Sequence, residues 1–518
     1  MTDKEKAQVG AWADRKKSVV VGSDDSIIKH SPDNGNATRK MDIEAMAREA
    51  LNVTSKPSEP DESKFDLDDY SNAELVLARY PGRFAYTSSH GWLSYIPEAG
   101  YWTSEVDSAV AKQAIRETLT WRIGQAWAEA KGDDGIKRAS TVTKACKPNA
   151  HRVNATLDAL KALVYTTTED FQRDTAHLLN VANGVVDLRT GELLPHSPDY
   201  RFMYFVPTEY DPDADMSEWL GFLDDALGSD MADFIQVAAG YSITGYTREE
   251  VMFYIYGPTR AGKGTFTETV TETLGSPLVK ITAFETFTQR NADAQGFALA
   301  PLMQSRIVFA SESNRYRKFD AAKVKGLTGG DTIQASFKRR DHFNYRPMFK
   351  IWLASNWPVN ADPDDDAFWA RVRVIPFPKS FLGNEDKSLK YRLRKPEARQ
   401  GVLLWLVKGA RRYLAEGLPE VEAVKESTEE HRTQADAVRQ FLDEQTEPAP
   451  GQSVLFSDVY AAYKDWCEVN GITPKHGPQF SLALKKKGLA VKKVKQRTPE
   501  GKRRSFTYVM DIDLILPG

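Results

Sequence analysis

A glycine-rich loop between an apolar stretch and a threonine-rich stretch limits this chain to a small group of folds. The apolar residues Val251–Tyr256 predict a strand, and Phe266–Leu274 predict a helix. The loop between them has the spacing of a phosphate-binding loop, in which backbone N–H groups surround phosphates and a lysine neutralises them at a helix N-terminus. The sequence therefore predicts an α/β nucleotide-binding core whose phosphate site comprises Gly257, Pro258, Thr259, Arg260, Ala261, Gly262, Lys263, Gly264 and Thr265.

The loop departs from the usual pattern at the position that normally binds magnesium. Serine or threonine usually follows the lysine, whereas Gly264 follows Lys263 here and Thr265 is the nearest hydroxyl. Two arrangements remain open. Either Thr265 takes the metal in a slightly shifted loop, or the metal is held through water and an acidic residue elsewhere. ATP and Mg²⁺ are the expected cofactors.

Two further apolar stretches end in polar side chains. Arg306–Ala310 leads through Ser311 to Glu312, where a nucleoside triphosphatase has the acid that orients magnesium and polarises the attacking water. Phe349–Ala354 leads to Asn356, whose amide suits a hydrogen bond to the γ-phosphate or to that water. A surface glutamate and a turn-forming asparagine are the alternatives. We expect Glu312 to be the general base and a metal ligand, and Asn356 to be a sensor.

An arginine stands at the boundary between a predicted helix and the predicted strand Val372–Phe377. This fixed position of Arg371 suits an arginine finger that reaches the γ-phosphate held by a neighbouring subunit. We interpret the acidic loop before it as a solvated turn with helix N-caps, in preference to a metal site, because its spacing lacks partner ligands. The loop contains Asp362, Asp364, Asp365 and Asp366.

Two short predicted strands between the second and third apolar stretches flank a basic tip. Three consecutive cations and a histidine lie beside aromatic residues there: Lys338, Arg339, Arg340 and His342. Such a tip suits a hairpin that grips a nucleic-acid backbone, and a merely solvated hairpin is the alternative.

The C-terminal part of the chain is strongly basic, although the whole chain has a formal net charge of -3. Between Lys475 and Ser505 there are eleven lysines and arginines and one acidic residue, Glu500. Predicted helices at Phe456–Asn470 and Gln479–Lys487 precede two strands, an order that suggests a winged helix. We expect this unit to bind the phosphate backbone of DNA, with contacts from Lys485, Lys486, Lys487, Lys492, Lys493, Arg503 and Arg504.

Composition excludes several other classes of protein. No apolar run reaches the roughly 18 residues that cross a bilayer, so we expect no membrane association. The N-terminal residues lack a secretory pattern, and the 2 cysteines cannot form a disulfide framework. A reducing cytoplasm is the expected location.

Changes in composition divide the chain into five parts. Residues 1–64 contain one aromatic residue, Trp12, and predict a disordered tail. The other parts are an α+β region at 65–230, the nucleotide-binding core at 231–384, a helical segment and linker at 385–447, and the basic unit at 448–518. The pattern also predicts helices over Leu389–Leu414 and Val421–Glu444, a hairpin turn at Asn183–Gly184 and a linker at Pro448–Gly451.

These motifs together resemble the phage and plasmid primase-helicase family, whose motor is a superfamily 3 helicase of the AAA+ type. The resemblance covers roughly Phe65–Gly518, and its most specific parts are Asn183–Glu192, Gly240–Gly245, Thr328–Asp331, Ala354–Asn356 and Phe368–Arg371. It implies Walker A at Gly257–Thr265, a Walker B acid at Glu312, sensor 1 at Asn356, an arginine finger at Arg371 and a DNA-contacting loop around Lys338. It also implies a ring hexamer that moves on single-stranded DNA, typically 3′ to 5′.

The chain departs from the family pattern in two places. Family Walker B motifs often carry two acids, whereas Ser311 precedes Glu312 here, which makes water activation a firmer expectation than metal binding. Larger members carry an N-terminal primase domain. The 64 residues before Phe65 are too few for such a domain, so we expect no primer synthesis by this chain.

The resemblance and the motifs predict an ATP-dependent replicative DNA helicase of a phage or mobile element, located in the host cytoplasm. The expected fold is an AAA+ P-loop NTPase core with an N-terminal α+β region and a C-terminal winged-helix domain. Single-stranded DNA in a homo-oligomeric ring, duplex DNA at the winged helix and a separate primase or polymerase are the expected partners. Two alternatives share the motifs: a DNA-dependent ATPase that remodels or loads replication proteins, and a nucleotide-gated DNA-binding initiator without unwinding.

Overall fold

The computed structural model describes residues 57–167, 169–172, 175–288, 298–311, 318–336, 342–470, 472, 474–497 and 503–515. In this part of the chain the fold is mixed α/β, with a five-stranded parallel sheet at its centre. A region of helices and small antiparallel sheets precedes that sheet, and a second antiparallel unit follows it. No helix in these segments is both long and apolar enough to cross a bilayer.

Before Ser217, the described residues of the N-terminal region form four α-helices and two three-stranded antiparallel sheets. Its helices are α1 (Asp69–Arg79), α2 (Ala109–Ala128), α3 (Gly132–Cys146) and α4 (Ala150–Leu163). One sheet contains β1 (Phe84–Thr87), β2 (Gly91–Ile96) and β3 (Tyr101–Ser104), and the other contains β4 (Leu178–Val181), β5 (Gly184–Asp187) and β6 (Leu193–Leu194). Small and aliphatic side chains such as Ala114, Leu119 and Leu160 are fully buried where the helices meet, and they form one core.

The segment expected to be a disordered tail reaches into this core. The Ser58 N–H donates to the carbonyl of Arg79 at 2.9 Å. Glu62 is buried and pairs with Arg122 at 3.2 Å and with Arg138 at 2.6 Å. The predicted boundary at residue 64 is therefore wrong: residues 57–64 are ordered because a buried carboxylate and its two cations fix them.

The hairpin turn between β4 and β5 lies one residue earlier than predicted. Val181 pairs with Gly184, so Gly184 is already a strand residue and the turn consists of Ala182 and Asn183. Asn183 exchanges two hydrogen bonds with the backbone of Tyr210, at 2.9 and 3.0 Å. These bonds explain why an asparagine stands at this turn.

The central sheet is parallel throughout. Its strands are β7 (Met252–Tyr256), β8 (Val279–Ala283), β9 (Ile307–Ser311), β12 (Lys350–Ser355) and β13 (Val372–Pro376), in the spatial order β13-β7-β12-β9-β8. Strands β10 (Ile333–Ser336) and β11 (His342–Tyr345) form a separate antiparallel hairpin between β9 and β12. Strands β7 and β12 are apolar and almost fully buried because helices cover both faces of the sheet.

Helices on the two faces of the sheet define two cores. The first face packs against α5 (Ser217–Leu227), α6 (Ser229–Ile243), α7 (Lys263–Leu274) and α11 (Pro396–Glu416). The second face packs against α8 (Ala321–Thr328), α9 (Asp366–Trp369) and two short 3-10 helices that contain Phe284 and Leu302. Helices α10 (Leu389–Leu393) and α12 (Glu422–Gln434) flank α11 along the chain. The predicted helix over Leu389–Leu414 is thus two helices, and Pro396 starts the second of them.

Two buried cations lie at the amino ends of the neighbouring strands β9 and β12, and one of them, Arg306, joins the N-terminal region to the sheet. Arg306 precedes β9, is 2% exposed, and donates to the carbonyls of Thr175, Leu178 and Ile243 at 2.7–3.1 Å. Lys350, the first residue of β12, is equally buried and donates to three carbonyls, among them that of Thr244 at the end of α6. These carbonyl oxygens satisfy the cations that burial would otherwise destabilise.

The basic C-terminal unit begins earlier than predicted. It contains α13 (Ala437–Gln445), β14 (Thr446–Leu455), α14 (Phe456–Val469), α15 (Gly477–Lys486), β15 (Val491–Arg497) and β16 (Arg503–Leu514). The expected linker Pro448–Gly451 is part of β14, which pairs with β16. Proline fits there because β14 is an edge strand and needs no outward N–H bond at that position. Val438 and Phe441 of α13 also lie in the core of this unit, so the predicted boundary at 448 is wrong.

Candidate functional site

The glycine-rich loop joins β7 to α7 at the carboxyl edge of the sheet. Gly262 has a φ of +94°, and a Cβ at this position would lie 3.0 Å from the Phe222 ring. A Cβ at Gly257 would lie 2.2 Å from the carbonyl oxygen of Phe377. Both positions therefore require glycine, and they hold the loop in a tight turn at the N-terminus of a 12-residue helix.

Lys263 lies at the centre of this loop. Its ammonium group donates to the carbonyls of Gly257 and Pro258, at 2.6 and 2.8 Å, and to Oδ1 of Asn356 at 2.6 Å. Burial lowers the pKa of Lys263 to about 8. Two predicted site residues far apart in the sequence are thus in direct contact. These described partners are oxygen atoms of uncharged groups, so phosphate oxygens can replace them.

The strand register brings the predicted polar strand ends to one edge. Ser355 pairs with Tyr256, and Ala354 pairs with Ser311, so β7, β12 and β9 end side by side. Asn356 follows β12 directly. Glu312 follows Ser311 in the sequence but lies outside the described residues, and its role as general base and metal ligand stays a prediction.

A cavity of about 970 Å³ adjoins the loop. Phe222 of α5, Thr265 and the chain after β13 line it. The Phe381 N–H donates to the carbonyl of Arg260 at 3.0 Å, which ties that chain segment to the loop. Phe222 and Phe381 were not predicted from the sequence. Phe222 lies in an amphipathic helix and Phe381 follows an apolar strand, and neither position alone indicates a binding residue.

The residues present fit a magnesium site only in part. Thr265 lines the cavity and offers a hydroxyl oxygen, but the described segments contain no group of three or more histidine, cysteine, aspartate or glutamate side chains placed around a metal. The choice between the two magnesium arrangements therefore depends on Glu312.

Arg371 lies at the amino ends of the strands of the sheet, whereas Lys263 lies at their carboxyl ends. It precedes β13, whose first residue Val372 pairs with Met252, the first residue of β7. Its guanidinium group contacts Oε2 of Glu250 at 2.6 Å and the carbonyl of Ala367 at 2.8 Å. A five-residue strand spans about 13 Å or more, so Arg371 does not reach the loop of its own chain.

The two predicted DNA-contacting surfaces are described to different extents. Lys338, Arg339 and Arg340 lie outside the described residues, and for His342 only the backbone in β11, paired with Ser336, is described. Of the residues predicted to contact DNA in the C-terminal unit, Lys485, Lys486, Lys492, Lys493 and Arg504 are exposed. The backbone of Arg503 begins β16, and its side chain is outside the described part.

Lys487 differs from its two neighbours in α15. Its ammonium group pairs with Asp436, and both side chains are more than four-fifths buried. Lys487 therefore stabilises the contact between α15 and the cap of α13, and the prediction that it contacts DNA is corrected.

The aspartates of the acidic loop before Arg371 take part in ion pairs, and they differ in exposure. Asp365 accepts the Phe368 N–H, which confirms the predicted helix N-cap, and it also pairs with Lys325 at 3.1 Å. Asp366 pairs with Arg432 of α12. The side chain of Asp366 is 85% exposed, as a solvated turn requires, whereas Asp364 and Asp365 are each about a quarter exposed and ion-paired, so the prediction of a solvated turn holds only in part.

Two family models match separate parts of the chain. The model described as "D5 N terminal like" matches residues 73–228. The model described as "Family of unknown function (DUF5906)" matches residues 255–371, from the end of β7 to Arg371. The first match covers most of the N-terminal region, and the second contains the glycine-rich loop.

Two viral proteins are similar to parts of this chain. "Putative helicase L207/L206" of Acanthamoeba polyphaga mimivirus is 25% identical over 321 residues, which cover 57% of this chain and 33% of that protein. "Putative helicase 022R" of Frog virus 3 (isolate Goorha) is 27% identical over 267 residues, which cover 46% of this chain and 26% of that protein. The chain thus spans a third or less of the length of these relatives.

Solved structures of the NrS-1 C-terminal region are also similar to this chain. "The A form apo structure of NrS-1 C terminal region-CTR" has a TM-score of 0.38 and 12% identity, and covers 60% of this chain and 80% of that chain. "The apo structure of NrS-1 C terminal region (305-718)" has a TM-score of 0.37 and 13% identity, and covers 59% of this chain and 78% of that chain.

Proposed function

We propose that this chain is the ATP-hydrolysing motor of a DNA helicase from a virus, phage or mobile element, with a superfamily 3 AAA+ core that works as a ring. The observation that carries the proposal is the contact between Lys263 and Asn356 at the carboxyl edge of a parallel sheet. A lysine in a glycine-rich loop beside an amide at a neighbouring strand end suits the binding of phosphates and the detection of the γ-phosphate. The names of the two viral relatives agree with this proposal.

ATP would bind with its phosphates at the N-terminus of α7 and its base in the adjoining cavity. Phe222 and Phe381 offer aromatic surface there, and the helix N-terminus favours the negative charge. Bound magnesium would neutralise part of the phosphate charge, with Thr265 and Glu312 as its proposed ligands. Asn356 would then orient the attacking water, and Glu312 would accept its proton.

The ring is proposed from the location of Arg371. An arginine that lies at the far edge of its own sheet can stabilise the transition state only in the site of a neighbouring subunit. Each site in a closed ring would then combine Lys263 of one subunit with Arg371 of the next.

DNA would contact two basic surfaces. The hairpin tip with Lys338, Arg339, Arg340 and His342 would hold single-stranded DNA within the ring. The C-terminal unit would act as a winged helix and bind duplex through Lys485, Lys486, Lys492, Lys493, Arg503 and Arg504.

The test is ATP-dependent displacement of a labelled strand from a forked duplex, with ATP turnover recorded in the same sample. We expect Lys263→Ala to lower turnover by about 100-fold or more, because it removes the phosphate contact. Arg371→Ala should abolish both turnover and unwinding. Matched controls are Lys408→Ala, which removes an exposed lysine of α11, and Arg412→Ala, which breaks a comparable ion pair with Asp233.

Each other outcome favours a different function. Undiminished turnover in Lys263→Ala would contradict the proposed active site. Turnover without strand displacement would favour an ATPase that remodels or loads other replication proteins. DNA binding with negligible turnover would favour a nucleotide-gated initiator, a function that agrees with Gly264 and Ser311 departing from the usual motor motifs.

A further inference from the structure

The acidic loop carries its four aspartates in two pairs that face different parts of the molecule. Asp365 and Asp366 are bound within the central α/β part of the chain, by Lys325 and Arg432. Asp362 and Asp364 instead face the basic C-terminal unit. Two hydrogen bonds fix the loop at Asp362. The indole N–H of Trp369 donates to the carbonyl of Asp362 at 2.9 Å, and the Asp364 N–H donates to the carboxylate of Asp362 at 3.2 Å.

Three ion pairs join this loop to helix α15 and the residues just before it. Lys475 lies 3.6 Å from Asp362 and 3.5 Å from Asp364, and Lys486 in the last turn of α15 lies 3.9 Å from Asp364. Lys475 and Asp364 are each about a quarter exposed. Lys318 adds a further cation to the same cleft of about 510 Å³. Burial disfavours ionisation of Asp362, but the N–H of Asp364 and the charge of Lys475 outweigh it and lower its pKa.

The acidic loop and a DNA phosphate would compete for the same lysines. Asp362 and Asp364 contact Lys475, which precedes α15, and Asp364 also contacts Lys486 in the last turn of α15. Lys486 is a proposed DNA contact. Gln479 and Leu482 on the same side of α15 also line the cleft. A DNA duplex cannot take this side of α15 while the loop is bound there, because both would use the same ammonium groups.

We infer that the acidic loop is an internal competitor for the DNA-binding side of α15, and that duplex DNA must displace Asp362 and Asp364 from Lys475 and Lys486 to bind the C-terminal unit. This inference rests on the proposed binding of DNA by that unit. The loop connects Asn356 to Arg371 along the chain, so its displacement would also act on the segment between the proposed sensor and the proposed arginine finger. Duplex binding and ATP turnover are thereby coupled through one loop.

The test measures the affinity of the full chain for a short fluorescein-labelled duplex by fluorescence anisotropy at low salt. Asp364→Asn keeps the shape of the side chain and removes two of the three ion pairs, so it should raise the affinity by about three- to tenfold. Asp213→Asn is the matched control. It makes the same change of net charge at an exposed aspartate outside the loop, and should change the affinity by less than about twofold.

A double-mutant cycle separates displacement from general electrostatics. In a Lys475→Ala/Lys486→Ala background the loop has lost its two partners, so Asp364→Asn should no longer raise the affinity. An unchanged gain in that background, or no gain in the wild-type background, would overturn the inference.

Lys492→Glu/Lys493→Glu distinguishes failure of the inference from failure of the proposed function. Loss of duplex binding in this variant would support the proposed DNA site in the C-terminal unit. If Asp364→Asn then had no effect on affinity, only the inferred competition would be overturned. Wild-type chain that fails to bind duplex at all would overturn both.

Discussion

The ammonium group of Lys263 donates only to oxygen atoms of uncharged groups among the described residues. The pKa of Lys263 therefore depends on whether an anion is bound in the loop. Its three described partners are two carbonyls and the Asn356 amide. They stabilise the charge less than an anion does, and burial lowers the pKa to about 8. The polyphosphate of ATP would supply the anion and raise that pKa again.

ATP binding should therefore weaken as the pH rises through 8. Below this pH the free protein already carries the charged lysine, whereas above it binding must take up a proton. We expect the dissociation constant of ATP, measured by titration calorimetry, to rise about tenfold between pH 7 and pH 9. Lys263→Arg is the control, because arginine stays charged over this range and its affinity should change little. An affinity that is equally constant in the wild-type chain would contradict the proposed role of Lys263.

The sequence predicted this contact only in part. The loop spacing identified Lys263, and its place after an apolar strand identified Asn356. Their pairing depends on the register of β7 against β12, which no local pattern contains. Phe222 and Phe381 were missed for the same reason, since each belongs to the cavity only because distant elements meet there. Lys487 was wrongly predicted to contact DNA because a run of three lysines does not tell which one points inward.

At the scale of elements, two glycines let helices α6 and α11 cross with their backbones in contact. A Cβ at Gly240 would lie 2.1 Å from the backbone nitrogen of Ala410, and a Cβ at Gly409 would lie 2.1 Å from the carbonyl oxygen of Gln236. Backbone atoms on both sides leave no flexible group to move aside.

Gly240→Ala should destabilise the fold strongly. The added methyl group must push α6 and α11 apart in the core that they form against the sheet. We therefore expect a loss of about 3 kcal/mol in the free energy of unfolding. Urea unfolding followed by circular dichroism measures the loss. Gly124→Ala in α2 is the matched control, because its Cβ meets nothing within 4 Å and the change should be neutral or stabilise by about 0.5–1 kcal/mol. Equal stability of the two variants would contradict the crossing.

Element type was more predictable than element ends. Strands β7, β9, β12 and β13 were expected within one or two residues, because long apolar runs before polar residues are a strong pattern. Helix α3 was not expected, since only Ala139, Val142 and Cys146 of its fifteen residues are buried. The predicted helix Val421–Glu444 is interrupted at Asp436, whose side chain caps α13. Proline at 448 indicated a linker because sequence alone does not distinguish an edge strand from a loop.

At the scale of the whole molecule, the residues of the proposed active site lie at opposite ends of the strands of the sheet. Lys263 and Asn356 lie at the carboxyl ends. Arg371 lies at the amino ends, where its guanidinium group is 2.6 Å from Oε2 of Glu250. In the proposed ring, one chain would offer two half-sites that face away from each other. Such an arrangement leads to a closed ring when the same contact repeats around an axis.

Mixing two inactive variants should restore ATP turnover. Lys263→Ala subunits retain Arg371, and Arg371→Ala subunits retain Lys263, so some interfaces in a mixed ring contain both functional groups. An equal mixture should recover about a quarter of the wild-type sites. Turnover is measured before and after mixing, with each variant alone as its control. A mixture as inactive as its components would argue against sites shared between subunits.

The hydrogen-bond acceptors of Arg306 limit where this chain can be divided into stable fragments. Of its three carbonyl partners, those of Thr175 and Leu178 come from the N-terminal region, and only that of Ile243 comes from the α/β part. A fragment beginning at residue 231 would keep the buried guanidinium and lose two of its acceptors. Arg306 thus links the stretches matched by the two family models, and we expect such a fragment to be less stable than the full chain.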